Sequence, residues 1–163
     1  MKIIYDKVSS GYLYPLSKSD VNKVKNVVSV EDINKIRTIE FGCNIKTTQE
    51  GRTVQKGKLY DIRINFCLKN FNSLVLSDDK KYIDQIKSFS GMVDKESRLI
   101  TWKLADAKRY VLFLLFHEIG HVIYSEHYAK NKLSGPTSKI EEQWCDGYAM
   151  QKIQELGIYR GRT

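Results

Sequence analysis

The chain has 163 residues, 42% of them hydrophobic and 28% charged, a balance ordinary for one compact domain and short for two. Its net charge of +8 is spread along the chain, with 18 basic against 12 acidic residues in the first hundred positions and 9 against 7 in the remainder. No basic run of five and no nucleic-acid fingerprint occurs, so the charge points to a lysine-rich surface and acidic partners ahead of nucleic acid.

The opening segment, MKIIYDKVSSGYLY, lacks the apolar stretch of a signal peptide, and the longest apolar run, residues 110–116, is far too short to span a bilayer. A cytoplasmic location with no membrane association is expected. Residues 20–29 read as a short amphipathic helix. Ile39, Phe41, Cys43 and Ile45 then alternate with Glu40, Gly42, Asn44 and Lys46, the period of a half-buried strand. Tyr60, Ile62, Ile64, Phe66 and Leu68 alternate in the same way with Asp61, Arg63, Asn65, Cys67 and Lys69. The polar residues 47–57 between them suggest a hairpin closed by a long, mobile loop. Three cysteines (Cys43, Cys67 and Cys145) with no C-x-x-C pair make neither a disulfide framework nor a local thiolate zinc site. They are expected as small buried apolar side chains, Cys43 and Cys67 on neighbouring strands. Ser77-Asp78-Asp79 opens a helix that ends near Gly91, and residues 98–103 form a strand leading into a long helix. One domain, 1–163, is expected, sheet-rich over about 1–103 and helical over about 104–157.

From Ala105 to Tyr128 there is no proline and one glycine, Gly120, which suits a helix apolar enough to be buried. It contains His117-Glu118-Ile119-Gly120-His121 within RYVLFLLFHEIGHVIYSEHY. Two histidines four apart lie one turn above the other on a helix, so both can reach one zinc ion at roughly 2.0–2.1 Å. The adjacent Glu118 is then placed to take a proton from a water that the ion activates. A buried helix has little other use for two histidines and a glutamate, each of which must be satisfied or neutralised.

A catalytic zinc site needs a third protein ligand. His127, the only other histidine, lies six residues after His121, as in HExxHxxGxxH. The turn glycine of that pattern is replaced by Tyr124, which suits a continuing helix and would leave His127 on nearly the opposite side. The other candidate lies in SKIEEQWCDGYAMQKIQEL, residues 138–156. Gly135-Pro136 precedes it, Ser138 with Glu141 is a capping-box signature, and Gly157 is a plausible stop. Glu142 and Asp146 share a face of this helix, whereas Glu141 has the capping role. Glu142 is therefore the expected third ligand, with His127 the alternative. Asp146 is placed to accept the other ring N–H of a ligating histidine. Cys145 is not expected to take part. Tyr124, Tyr128 and Tyr148 could stabilise an oxyanion but fit packing roles better.

HExxH followed by a downstream E-x-x-x-D helix resembles the gluzincin branch of zincin metallopeptidases. More narrowly, HEIGHVIY with EEQWCDGYA is similar to the ImmA/IrrE-type metallopeptidases, which carry HELGH-like and E-x-x-A-[ND]-x-F-A segments. Glu142 falls on the ligand of that pattern, Asp146 on the [ND], Tyr148 on the aromatic and Ala149 on the alanine, while Cys145 replaces a small alanine. The likeness covers about residues 98–156. It implies an α+β, zincin-like fold in which a mostly antiparallel twisted sheet packs on the buried HExxH helix and a C-terminal ligand helix. It also implies one Zn²⁺ per chain, held by His117, His121 and Glu142, and hydrolysis of a protein or peptide substrate with Glu118 as general base. In related zincins the sheet edge above the cleft binds substrate in extended form. A non-catalytic protein using the same scaffold to hold a protein or DNA partner is the alternative.

Overall fold

The computed structural model describes residues 1–43, 49–128 and 138–157. In chain order these form β1 (Lys2–Tyr5), β2 (Tyr12–Leu13), α1 (Lys18–Asn22), a 3₁₀ turn (Lys23–Asn26), α2 (Val30–Lys35), β3 (Ile36–Gly42), β4 (Gly51–Lys56), β5 (Leu59–Asn65), β6 (Leu68–Lys69), β7 (Asn72–Leu74), α3 (Lys80–Ser88), β8 (Met92–Asp94), β9 (Leu99–Thr101), α4 (Leu104–His127) and α5 (Lys139–Glu155). The class is α+β, as expected.

The strands make two sheets whose pairings are mostly antiparallel, as expected, and the correction falls on the four-stranded one. A four-stranded sheet has the order β1-β3-β5-β4, with β1, β3 and β5 mutually parallel and only β4 antiparallel. The second sheet, β2-β6-β7-β9-β8, is antiparallel throughout. The expected hairpin between β3 and β5 is therefore absent. Residues 51–56 of the supposed loop are a strand, which turns into β5 across Gly57 (φ 68°) and Lys58, as a two-residue hairpin with Gly at its first central position does. Residues 44–48, including Asn44, Ile45 and Lys46 of the expected first strand, lie outside the described residues, as does Gly135-Pro136.

Alternation nonetheless names the buried face. Ile39 and Phe41 of β3 stand opposite Ile62 and Ile64 of β5, all at most 1% exposed. The intervening residues carry the ion pairs of the outer face, Arg63 with Asp6 and Glu40, and Arg37 with Asp61. The parallel register also brings the residues beyond the two strands together, since Gly42 faces Asn65. Cys43 and Cys67 are joined there by a disulfide, with Cα atoms 5.3 Å apart. Two of the three cysteines are thus bonded, not the free buried side chains expected. Among the described residues no helix is long and apolar enough to cross a membrane.

The helical expectation for residues 20–29 is also revised. Ser17 and Asp20 form a capping box that starts α1 earlier, and Ser29, expected at the end, caps α2 by accepting from the Asp32 N–H at 3.1 Å. Asp79 caps α3 through the N–H groups of Lys81 and Tyr82. In α4, residues 110–116 are all buried, because the mixed sheet, the aromatic cluster of Phe66, Phe89 and Trp102 around Tyr110, and α5 enclose it. Ser138 accepts from the Glu141 N–H to start α5, which ends just before Gly157. A Cβ on Gly120 would meet the backbone and side chain of Cys145 at 3.2 Å, so a glycine there lets α5 lie close on α4.

Candidate metal centre

Helix α4 sets His117 and His121 one turn apart, and α5 brings Glu142 against both. Ligand atoms of the three lie within 4.8 Å of one another. The two Nε2 atoms are 3.2 Å apart, and Glu142 places Oε2 at 3.3 Å from His117 Nε2 and Oε1 at 3.6 Å from His121 Nε2. Donors held ~2.0–2.1 Å from one tetrahedral ion stand about 3.3 Å apart, so the spacing of this set suits such an ion.

The other ring nitrogens are fixed from behind. His117 Nδ1–H donates to Asp146 Oδ1 at 2.9 Å, and His121 Nδ1–H donates to Glu141 Oε1 at 2.8 Å. Because an ionised carboxylate can only accept, both bonds fix a proton on Nδ1, so that in the neutral rings that ligate a metal the Nε2 lone pairs face the shared position. Asp146 in turn binds Lys81 of α3 at 2.9 Å. Burial would raise the Asp146 carboxyl, but its hydrogen bonds to His117 and Lys81 hold it below the ordinary carboxylate range. Burial would likewise lower His117. The hydrogen bonds to Asp146 and Glu142 and the charge of Glu118 outweigh it, raising the imidazole to about 9. Without metal the cluster thus keeps a proton on His117, where an acidic environment calls for positive charge.

Glu118 is the one buried charged residue among the described ones, 6% exposed. Burial pushes its carboxyl up, against the pull of the Thr53 hydroxyl and the two imidazoles. Thr53 Oγ1 donates to Glu118 Oε2 at 2.7 Å and lies 3.0 Å from the Glu118 carbonyl oxygen. The carboxylate also lies against Gly51, where a Cβ would come within 2.2 Å of Oε1. All these groups border an open cleft of about 950 Å³ between β4, α3, α4 and the start of α5. Gly51, Thr53 and Gln55 line one wall, Tyr82, Gln85 and Lys81 another, and Phe113 and Leu114 its apolar part.

The structure therefore brings His117, Glu118, His121, Glu142 and Asp146 together and excludes His127 from the group. Helix α4 continues through Tyr124, and His127 Nε2 meets Asp32 Oδ1 at 2.9 Å with its side chain 45% exposed. Tyr124, Tyr128 and Tyr148 all pack on Trp144 and none lines the cleft. Cys145 is buried, its thiol pushed above the ordinary range by burial and by Glu141 and Glu142, and is not one of the three grouped ligands. Glu141 is the correction at this site: Ser138 caps its N–H, but its carboxylate, expected to complete a capping box, orients His121 instead. Thr53, Gly51 and Lys81 carried no signal in the sequence, since they reach the site only through β4 and α3. Compared with protein-family models, curated proteins and solved structures, the chain matches none.

Proposed function

We propose that this chain is a zinc-dependent metallopeptidase of gluzincin type. The observation that carries the reading is the His117–His121–Glu142 donor set with a buried carboxylate, Glu118, beside it in an open cleft. Two imidazoles and one carboxylate are the ligand chemistry of catalytic zinc sites that keep a fourth position open. Zinc, when bound, supplies a Lewis acid and brings the pKa of a water toward ~7. Glu118 accepts the proton of the attacking water and delivers it to the leaving amine nitrogen. Asp146 and Glu141 keep both imidazoles in the ligating tautomer. β4, which ends its sheet among the described residues and borders the cleft, offers an edge along which an extended peptide adds as a further strand.

The test is metal content and turnover on one preparation. The protein should bind one zinc per chain and hydrolyse extended peptides, whereas Glu118→Gln keeps the zinc and loses hydrolysis. No stoichiometric zinc after reconstitution would refute the reading. Zinc with no Glu118-dependent cleavage would leave a binding protein on the same scaffold.

A further inference from the structure

We infer that Thr53 is the positioning residue of the general base, so that the strand bordering the cleft also orients Glu118. The inference rests on the peptidase reading and assigns a role within that site. Among the described residues Thr53 is the one side chain hydrogen-bonded to the Glu118 carboxylate. An ionised carboxylate needs donors once it leaves water, and Glu118 is 6% exposed. A threonine suits the task because branching at Cβ makes χ1 stiff, so the hydroxyl direction is fixed by the strand.

Gly51 completes the arrangement. Gly51, Thr53 and Gln55 stand opposite Ile64, Ile62 and Tyr60 of β5, so they share the face that meets α4. The missing side chain at Gly51 opens the space that one carboxylate oxygen takes, while Thr53 holds the other. A glutamate side chain has three rotatable bonds. These two contacts select one orientation, in the cleft that His117 and His121 also line. The same backbone carries the edge proposed for substrate, so displacement of β4 moves substrate and base together.

The experiment compares zinc-loaded wild type, Thr53→Ser, Thr53→Val and Glu118→Gln, and Thr53→Val within Glu118→Gln, on one extended peptide. Zinc content and melting temperature are measured for each. Valine keeps the shape of threonine and removes the donor. Misplacing a reacting group by about 1 Å can cost ~10²-fold, so Thr53→Val should lower kcat by about that factor with KM and zinc content nearly unchanged. Thr53→Ser should restore kcat to within about threefold, and Thr53→Val should add no further loss to Glu118→Gln, as expected for residues acting as one unit. A kcat for Thr53→Val within threefold of wild type would overturn the inference. So would a loss that serine does not restore, or one that falls on KM and melting temperature together. If wild type cleaves no better than Glu118→Gln, the peptidase reading fails and takes this role with it; failure of the inference alone leaves wild-type cleavage intact.

Discussion

Glu141→Ala separates a helix-starting role from one behind the metal. The Glu141 N–H is taken by the Ser138 hydroxyl at 3.1 Å, while its carboxylate, 20% exposed, accepts from His121 Nδ1 at 2.8 Å. The other polar atom near that nitrogen is Cys145 Sγ at 3.5 Å, a weak acceptor that cannot replace a carboxylate. Removing a carboxylate behind a ligating histidine costs ~10–100-fold in metal affinity. At 1.36 kcal/mol per tenfold that is about 1.4–2.7 kcal/mol. Removing a negative charge from a first helical turn costs ~0.3–1 kcal/mol of fold stability and gives no reason for zinc to leave. Ser138→Ala is the comparison, since it gives up a cap worth ~1 kcal/mol and leaves Glu141 in place. Zinc affinity is measured by competition with a chromophoric chelator at fixed pH, and stability by thermal melting in excess chelator. We expect Glu141→Ala to lose about 10–100-fold in affinity and Ser138→Ala less than threefold. Equal affinities for the two variants would refute a role behind His121 and leave Glu141 with its first-turn charge alone.

Three further outcomes follow from the same geometry. Glu142→Ala should abolish tight zinc binding and His127→Ala should leave it unchanged; zinc loss in the His127 variant alone, by metal analysis, would reverse the ligand assignment. Gly51→Ala should lower kcat by at least ~10²-fold with zinc retained, because its methyl group would take the place of a Glu118 oxygen, and peptide hydrolysis checks it. Glu50 and His117 are among the groups that make the zinc-free protein less stable as pH rises. Glu50 is raised to about 7, by burial against the weaker pull of its hydrogen bonds to Tyr110 and Tyr82, so the fold holds its proton more tightly than the unfolded chain does. Stability from this group is complete below about pH 4.5 and lost as pH rises through 7. His117, raised to about 9, acts likewise: its contribution is complete below about pH 6.5 and is lost as pH rises through 9. Urea melts at successive pH values should show both declines, with Glu50→Gln flattening the lower one. A stability that rises between pH 5 and 7 in the zinc-free protein, with Glu50→Gln matching wild type, would contradict this account of Glu50.

The parts of the site legible in the sequence are those set by spacing along one helix. His117 and His121 share a face of α4, and Glu142 and Asp146 share a face of α5, whatever surrounds them. The absence of a turn glycine at Tyr124 likewise kept α4 straight and His127 away. Strand direction was not legible. Period-two alternation in β3 and β5 names the face that is buried but not whether a neighbour runs with or against it. Residues 51–56 read as a loop because an edge strand with Arg52, Thr53, Gln55 and Lys56 shows no apolar alternation, and a strand with one bonded neighbour among the described residues makes no such demand.

The sequence by itself determined the two helices, their starts, the three residues that could meet a metal and Asp146 behind one of them, because these depend on a fixed rise and rotation per residue. Only the tertiary structure decided what else stands behind and beside them. The parallel pairing of β3 with β5 joins Cys43 to Cys67 and leaves β4 at the edge, where Thr53 and Gly51 reach Glu118. The close approach of α5 at Gly120 turns Glu141 from a helix start toward His121. Contacts between residues dozens of positions apart depend on how faces pack, and no local period in the chain records that.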